Sequence, residues 1–173
     1  MSLYYIKTNP KRCISCKACE VHCKVHNRVP LGARLGQLVT VGPVDKGGLP
    51  RLLNLFMPCF HCEKPWCVPA CPTGAMTRRE EDGVVFVRAE LCVGCKACIV
   101  ACPWSVPQWD EAAGKAIKCD FCRERIDAGK KPACVTACTA HALEFVMPGE
   151  ASLAARSAYA TKILLHQPED PGL

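Results

Sequence analysis

Aromatic residues are scarce: Phe, Trp and Tyr together make up 6% of the 173 residues, too few for a large aromatic core. Long hydrophobic runs are missing as well. The best, Leu52 to Phe60, is short and broken by Asn54 and Pro58, well under the roughly 18 apolar residues of a membrane span. The N-terminus, Met1-Ser2-Leu3-Tyr4-Tyr5-Ile6-Lys7, has neither the charged start nor the apolar stretch of a signal peptide. There is no GxGxxG, no phosphate loop and no complete set of nucleophile, base and oxyanion donors. The common means of binding a nucleotide or attacking a substrate are therefore lacking. Acid is in deficit: 22 Lys and Arg face 16 Asp and Glu, a formal net charge of +6. At face value this surplus suits an acidic partner such as nucleic acid. A hydrophobic fraction of 50% and a charged fraction of 22% exclude a disordered tail or a collagen-like repeat. The length suffices to bury a core, in one domain or two small ones.

What is abundant is cysteine, 16 residues in all. That density would mark a short secreted chain as a disulfide scaffold, but nothing here directs secretion. The chain reads as soluble and cytoplasmic, where glutathione keeps thiols reduced. Export together with a signal-bearing partner would leave no trace in this sequence. Sixteen thiols in a reducing compartment call for metal.

The cysteines fall into four groups of four. The first is Cys13-x2-Cys16-x2-Cys19-x3-Cys23, and the second Cys59-x2-Cys62-x4-Cys67-x3-Cys71 followed by Pro72. The third is Cys92-x2-Cys95-x2-Cys98-x3-Cys102 followed by Pro103, and the fourth Cys119-x2-Cys122-x11-Cys134-x3-Cys138. None is left over, so this fourfold repeat organises the chain. A [4Fe–4S] cubane needs four thiolates aimed at four corners of one small object. Three cysteines at x2 steps let a tight loop wrap three irons, and the x3 step carries the fourth onto a turn pointing towards a different cluster. The third group matches the two-cluster ferredoxin run residue for residue. Disulfides would require an even count but not this spacing. Zinc is the serious rival, since CxxC pairs also bind zinc and sixteen thiolates could hold four ions; structural zinc sites, however, have no use for a third cysteine at another x2 step. His22, His26 and His61 lie among the cysteines and read as neighbours rather than ligands.

The segment from Cys59 through Cys62, Cys67, Cys71 and Pro72 to Ala75 resembles the second motif of four-cluster ferredoxin subunits. These serve dimethyl sulfoxide reductase, polysulfide reductase, formate dehydrogenase and related hydrogenase or carbon monoxide dehydrogenase systems. The stretch Lys118-Cys119-Asp-Phe-Cys122-Arg-Glu-Arg125, continuing through Pro132 to Cys138, resembles the fourth motif of the same family. The resemblance covers roughly residues 4–147. It implies an α+β fold of two bacterial-ferredoxin-like units, short hairpins and short helices around cluster pairs, one unit inserted in the other. Residues 1–23 with 106–147 would form the outer unit and residues 52–105 the inner one. Residues 24–51 would connect them and 148–173 would form a C-terminal helix and tail.

By the same resemblance, ligands are exchanged between groups. Cys13, Cys16 and Cys19 would hold one cluster with Cys138, and Cys119, Cys122 and Cys134 its neighbour with Cys23. Cys59, Cys62 and Cys67 would join Cys102, and Cys92, Cys95 and Cys98 would join Cys71. Four [4Fe–4S] clusters are thus expected, with no catalytic residue. The implied role is an electron-transfer subunit docked at one end on a large catalytic molybdenum- or tungsten-pterin oxidoreductase of aldehyde, formate or benzoyl-CoA type. The other end would meet a second redox protein or a flavin subunit. The short length inclines this reading to a soluble assembly with a tungsten aldehyde oxidoreductase, and end-to-end self-association is compatible with it. A hydrogenase or carbon monoxide dehydrogenase partner is the alternative, and a zinc-bound interaction module the remote one. Neither nucleic acid nor a membrane span is expected.

The local patterns are consistent with this fold. Tyr4–Lys7, Thr77–Arg79, Val84–Arg88 and Leu143–Val146 are β-prone, with Asp82-Gly83 as a hairpin turn. Short helices are expected near the last cysteine of each group. Gln37–Val41 reads as a strand within the 24–51 connection, which is either a docking surface or scaffold. Residues 151–165 read as a helix with Leu153, Ser157, Ala160 and Leu164 on one face, packed on the protein's own core or, as the alternative, serving as an interaction tail. His166 onward reads as a loose end. Lys17, Lys96, Lys118, Arg123 and Arg125 lie near the cysteines and are each either ordinary solvated surface or tuners of cluster potential.

Overall fold

A computed structural model describes residues 3–45 and 47–165. In chain order it has β1 (Tyr5–Thr8), α1 (Ala18–His26), β2 (Gln37–Asp45), β3 (Pro50–Met57), β4 (Met76–Arg78) and β5 (Val85–Val87). A single 3-10 turn (Ala89–Leu91), α2 (Ala97–Ala101), β6 (Gln108–Asp110) and β7 (Lys115–Ile117) follow. The chain continues through α3 (Arg123–Asp127), α4 (Ala133–Thr136), β8 (Leu143–Val146) and α5 (Pro148–Leu164). The fold is α+β. Its strands make four antiparallel pairs, β1 with β8, β2 with β3, β4 with β5 and β6 with β7.

A two-stranded sheet alone is marginal in water, so each pair must pack on something. Here it packs on the cysteine loops. The outer core gathers Cys19, Leu38, Phe56, Cys134, Val135 and Leu143, and the inner core Met76, Val85, Cys98 and Ala116. Thiols thus fill positions that leucine or valine would occupy in an ordinary core.

The two halves share one plan. β1 precedes the first cysteine group and pairs with β8 after the fourth, Tyr5 opposite Val146. In the inner half β5 precedes the third group and pairs with β4 after the second, Met76 opposite Val87. The Asp82-Gly83 turn joins these two strands: Gly83 takes φ 73° and the Asp82 carboxylate accepts the Val84 N–H at 3.0 Å.

Several expectations are corrected. The helices begin just before the third cysteine of a group and end near the fourth; α1, α2 and α4 do so, and the second group has only turns. The connection 24–51 holds one arm of a long hairpin, β2 with β3, in which Leu38 lies opposite Phe56. Both residues are buried in the outer core, so β3 packs with the outer half although the 52–105 boundary gives it to the inner. Conversely the β6–β7 hairpin, read as outer, places Ala116 in the inner core. The C-terminal helix forms, but Leu153, Ser157, Ala160 and Leu164 are all exposed; that face does not pack on the core. The expectation for His166 onward lies outside the described residues. Among the described residues no helix is long and apolar enough to cross a membrane.

Candidate iron–sulfur centres

Each cysteine loop is shaped by the same backbone device. The residue just before the second cysteine has positive φ in all four groups: Ser15 (58°), His61 (45°), Gly94 (76°) and Phe121 (56°). A left-handed residue curls the loop and turns successive N–H groups inward, the arrangement that favours an anion. The His61 N–H accordingly donates to Cys59 Sγ at 3.4 Å. For side chains larger than glycine this conformation costs roughly 1 kcal/mol or more, which three of the four loops sustain. Only Gly94 has no choice, because a Cβ there would lie 2.9 Å from the Gly114 carbonyl oxygen. In the first and third groups Lys17 and Lys96 add a second left-handed residue (59° and 61°) immediately before α1 and α2.

The sixteen thiols are all free and part into four sets. Cys13, Cys16, Cys19 and Cys138 line one cavity. Cys71, Cys92, Cys95 and Cys98 line another. Cys23, Cys119, Cys122 and Cys134 line a third. Cys59, Cys62, Cys67 and Cys102 line the fourth and widest, which Trp66 and Trp104 also line. Every set takes three cysteines from one group and the last from another. The thiols surround a hollow rather than meet at a point: among the described residues no three Cys, His, Asp or Glu are grouped to hold a single metal ion. Such a ring fits a multi-iron cluster better than one zinc, whose bonds of about 2.3 Å draw four sulfurs together.

The metal-free thiols are poised for protonation. Burial pushes Cys19, Cys23 and Cys67 up to about 11 and Cys134 higher still, with Cys23 and Cys122 adding like-charge repulsion. Desolvation of the Cys119 sulfur acts the same way, reinforced by Cys59. Metal must therefore displace protons as it binds, so assembly and folding are linked. Cys71 runs the other way: desolvation is outweighed by hydrogen bonds, including one from the Met76 N–H at 3.4 Å. Other donors reach sulfur too. Ala142 N–H lies 3.2 Å from Cys138 Sγ, and Asn27 Nδ2 lies 3.5 Å from Cys23 Sγ and 3.8 Å from Cys122 Sγ.

His22 and His26 are exposed on α1 and line none of the four cavities. His61 is 1% exposed and borders the Cys59 cavity. Its Nδ1 accepts the Val85 N–H at 2.9 Å, so the ring proton sits on Nε2. Burial, then the charge of Lys118, holds the imidazole well below its usual pKa. Nε2 has no hydrogen-bond partner among the described residues. An orphaned donor beside a thiol-lined hollow is satisfied by an acceptor-rich, anionic group such as an iron–sulfur cluster.

Of the five cations singled out in the sequence, Lys17 and Lys96 border the first and second of these cavities, and Lys96 also lies 4.3 Å over the Trp109 ring. Arg123 sits 4.2 Å over the Phe86 ring, and Arg125 is held by the Lys131 carbonyl at 2.8 Å. Lys118 alone is buried, 6% exposed, and borders the Cys59 cavity.

The two halves meet across residues in matching positions. His61 and Phe121, each before the second cysteine of its group, stack at 3.7 Å between centroids. Lys118 donates to the Val85 carbonyl. Arg79 bridges Asp82 in its own half and both carboxylate oxygens of Asp127 at 2.9 Å. Sequence reasoning missed this seam, because no local pattern marks a contact between equivalent positions of two loops.

A 4Fe-4S dicluster domain matches residues 52–147, and a 4Fe-4S binding domain matches residues 10–26. The thiosulfate reductase electron transfer subunit of Salmonella typhi is 42% identical over 144 residues, spanning 82% of this chain and 74% of that protein. One chain of the anaerobic dimethyl sulfoxide reductase of Escherichia coli is 39% identical over 142 residues, 78% of the present chain and 68% of that protein. One subunit of the tetrathionate reductase of Salmonella typhimurium is 39% identical over 137 residues, 78% and 54% respectively.

Proposed function

Because the chain belongs to the family of [4Fe–4S] electron-transfer subunits that includes those of thiosulfate reductase and dimethyl sulfoxide reductase, and is itself a non-catalytic carrier of four such clusters, we propose that it is a four-cluster wire. It joins a catalytic oxidoreductase subunit to a second redox partner. The observation that carries this reading is the division of sixteen thiols into four rings of four. In the proposed assignment those rings are the ligand sets: Cys13, Cys16, Cys19 with Cys138; Cys119, Cys122, Cys134 with Cys23; Cys59, Cys62, Cys67 with Cys102; and Cys92, Cys95, Cys98 with Cys71. When bound, each cluster supplies a one-electron couple. The chain's own residues hold it, exclude water from it and set the charge around it.

A linear order follows from which rings neighbour one another. Groups one and four exchange ligands, as do groups two and three. The two pairs approach where Cys119 feels Cys59 and Lys118 borders the Cys59 cavity. The Cys119 and Cys59 rings are then interior and the Cys13 and Cys92 rings terminal. Each terminal ring contains a thiol exposed to solvent, Cys16 and Cys95, suited to electron entry and exit.

The named relatives draw the catalytic partner towards reductases of thiosulfate, dimethyl sulfoxide and tetrathionate rather than an aldehyde oxidoreductase. A molybdenum- or tungsten-pterin subunit is the partner class they favour over a hydrogenase. A flavin or second redox protein at the far end, and a cytoplasmic setting, complete the proposal. The crossed assignment is tested by paired variants. Cys71→Ala and Cys95→Ala should each remove the same cluster, and the double variant should lose no more iron than either alone. Cys71→Ala with Cys62→Ala should lose two clusters. Additive loss in the first pair would refute the crossing.

A further inference from the structure

Among the described residues Lys118 is the only lysine or arginine in the buried class. An ammonium taken out of water needs a counter-charge or its folded state is penalised by several kcal/mol. Its hydrogen bonds run instead to two carbonyls, that of Val85 and that of Cys119 at 2.6 Å. Backbone dipoles solvate the group but leave its charge unneutralised. The negative charge lies elsewhere. Lys118 borders the cavity ringed by Cys59, Cys62, Cys67 and Cys102, and the next residue, Cys119, belongs to the ring with Cys23, Cys122 and Cys134.

We propose that Lys118 is the fixed counter-charge of the two interior clusters, raising both reduction potentials together and offsetting the repulsion between two adjacent anionic groups. The inference rests on the ligand assignment proposed above. Its consequence is directional. Without Lys118 the middle of the wire is harder to reduce than its ends, and an electron entering at either end meets an uphill step. No bond is made or broken in this role.

The test is an EPR-monitored potentiometric titration of the whole chain in its complex, with iron counted, for wild type, Lys118→Met and Lys118→Gln. Methionine removes charge and hydrogen bonds together; glutamine removes the charge and keeps an N–H donor. The interior signals are identified as those lost in Cys62→Ala and Cys122→Ala. The expected result is a downward shift of the two interior midpoints in both variants, with the terminal two unmoved. Four unmoved midpoints overturn the proposal. So does a shift in Lys118→Met that Lys118→Gln restores, since Lys118 would then be a hydrogen-bonding strut, and so does an equal fall of all four. If Lys118→Met does not assemble its clusters, Lys118→Gln decides by the same criterion. A wild type that lacks four clusters refutes the ligand assignment instead.

Discussion

Glu20 is buried beside Cys19 and accepts a hydrogen bond from the Leu38 N–H. Arg34, half-exposed, lies 3.9 Å away. Burial chiefly, and the Glu20 charge with it, raises the Cys19 thiol. The carboxylate therefore works on its terminal ring in the sense opposite to Lys118. Glu20→Gln keeps an acceptor for Leu38 and removes the charge. It should raise the potential of the Cys13 ring by tens of millivolts, given that about 59 mV corresponds to a tenfold change in a one-electron equilibrium. Potentiometry reads this directly, and an unmoved terminal midpoint counts against it. At this scale the four groups of cysteines were legible in the sequence because they repeat one residue type at fixed steps. Glu20 and the left-handed residues His61 and Phe121 were not. A buried acid and an exposed one look alike in a string of letters, and no residue preference announces positive φ at a histidine or phenylalanine.

Among the secondary elements, the seam between halves is held by Arg79, whose guanidinium joins the β4–β5 turn to α3. Desolvation alone would raise the Asp82 carboxyl, but hydrogen bonds from Arg79 and the Val84 N–H hold it below its usual range. Arg79→Ala leaves Asp82 without that partner, at a cost of about 1–3 kcal/mol. Thermal unfolding should occur at lower temperature and iron should be released faster, with the iron count and potentials of the freshly prepared protein unchanged. An unchanged unfolding temperature would show that the stacked rings and Lys118 hold the seam without it. The strands flanking the cysteine groups were readable because β-prone runs and the Asp82-Gly83 turn are local signals. β6–β7 was not, since Gln108–Asp110 and Lys115–Ile117 hold only one β-prone residue each, Trp109 and Ile117. The α5 face misled for a different reason: Leu153 and Leu164 suggest an apolar stripe, yet helical spacing says nothing of whether a partner surface lies opposite.

For the molecule as a whole, charge changes meaning once the clusters are counted. The chain carries +6, and four oxidised clusters with their thiolates add roughly −8, leaving a slightly anionic protein. The basic surplus then serves as counter-charge for the anionic clusters, with Lys118 its most buried part among the described residues. Fold stability and cofactor are equally inseparable here, since four two-stranded sheets and thiol-rich cores cannot be expected to persist around vacant, protonated rings. The α+β fold was legible through the family resemblance that the cysteine groups carry. Which half claims β3 and β6–β7 was not, because it depends on packing between segments distant in sequence.

The most direct measurement is the iron, acid-labile sulfide and zinc content of the anaerobically purified protein. The account predicts about 16 iron and about 16 sulfide per chain. About four zinc with no sulfide would contradict it.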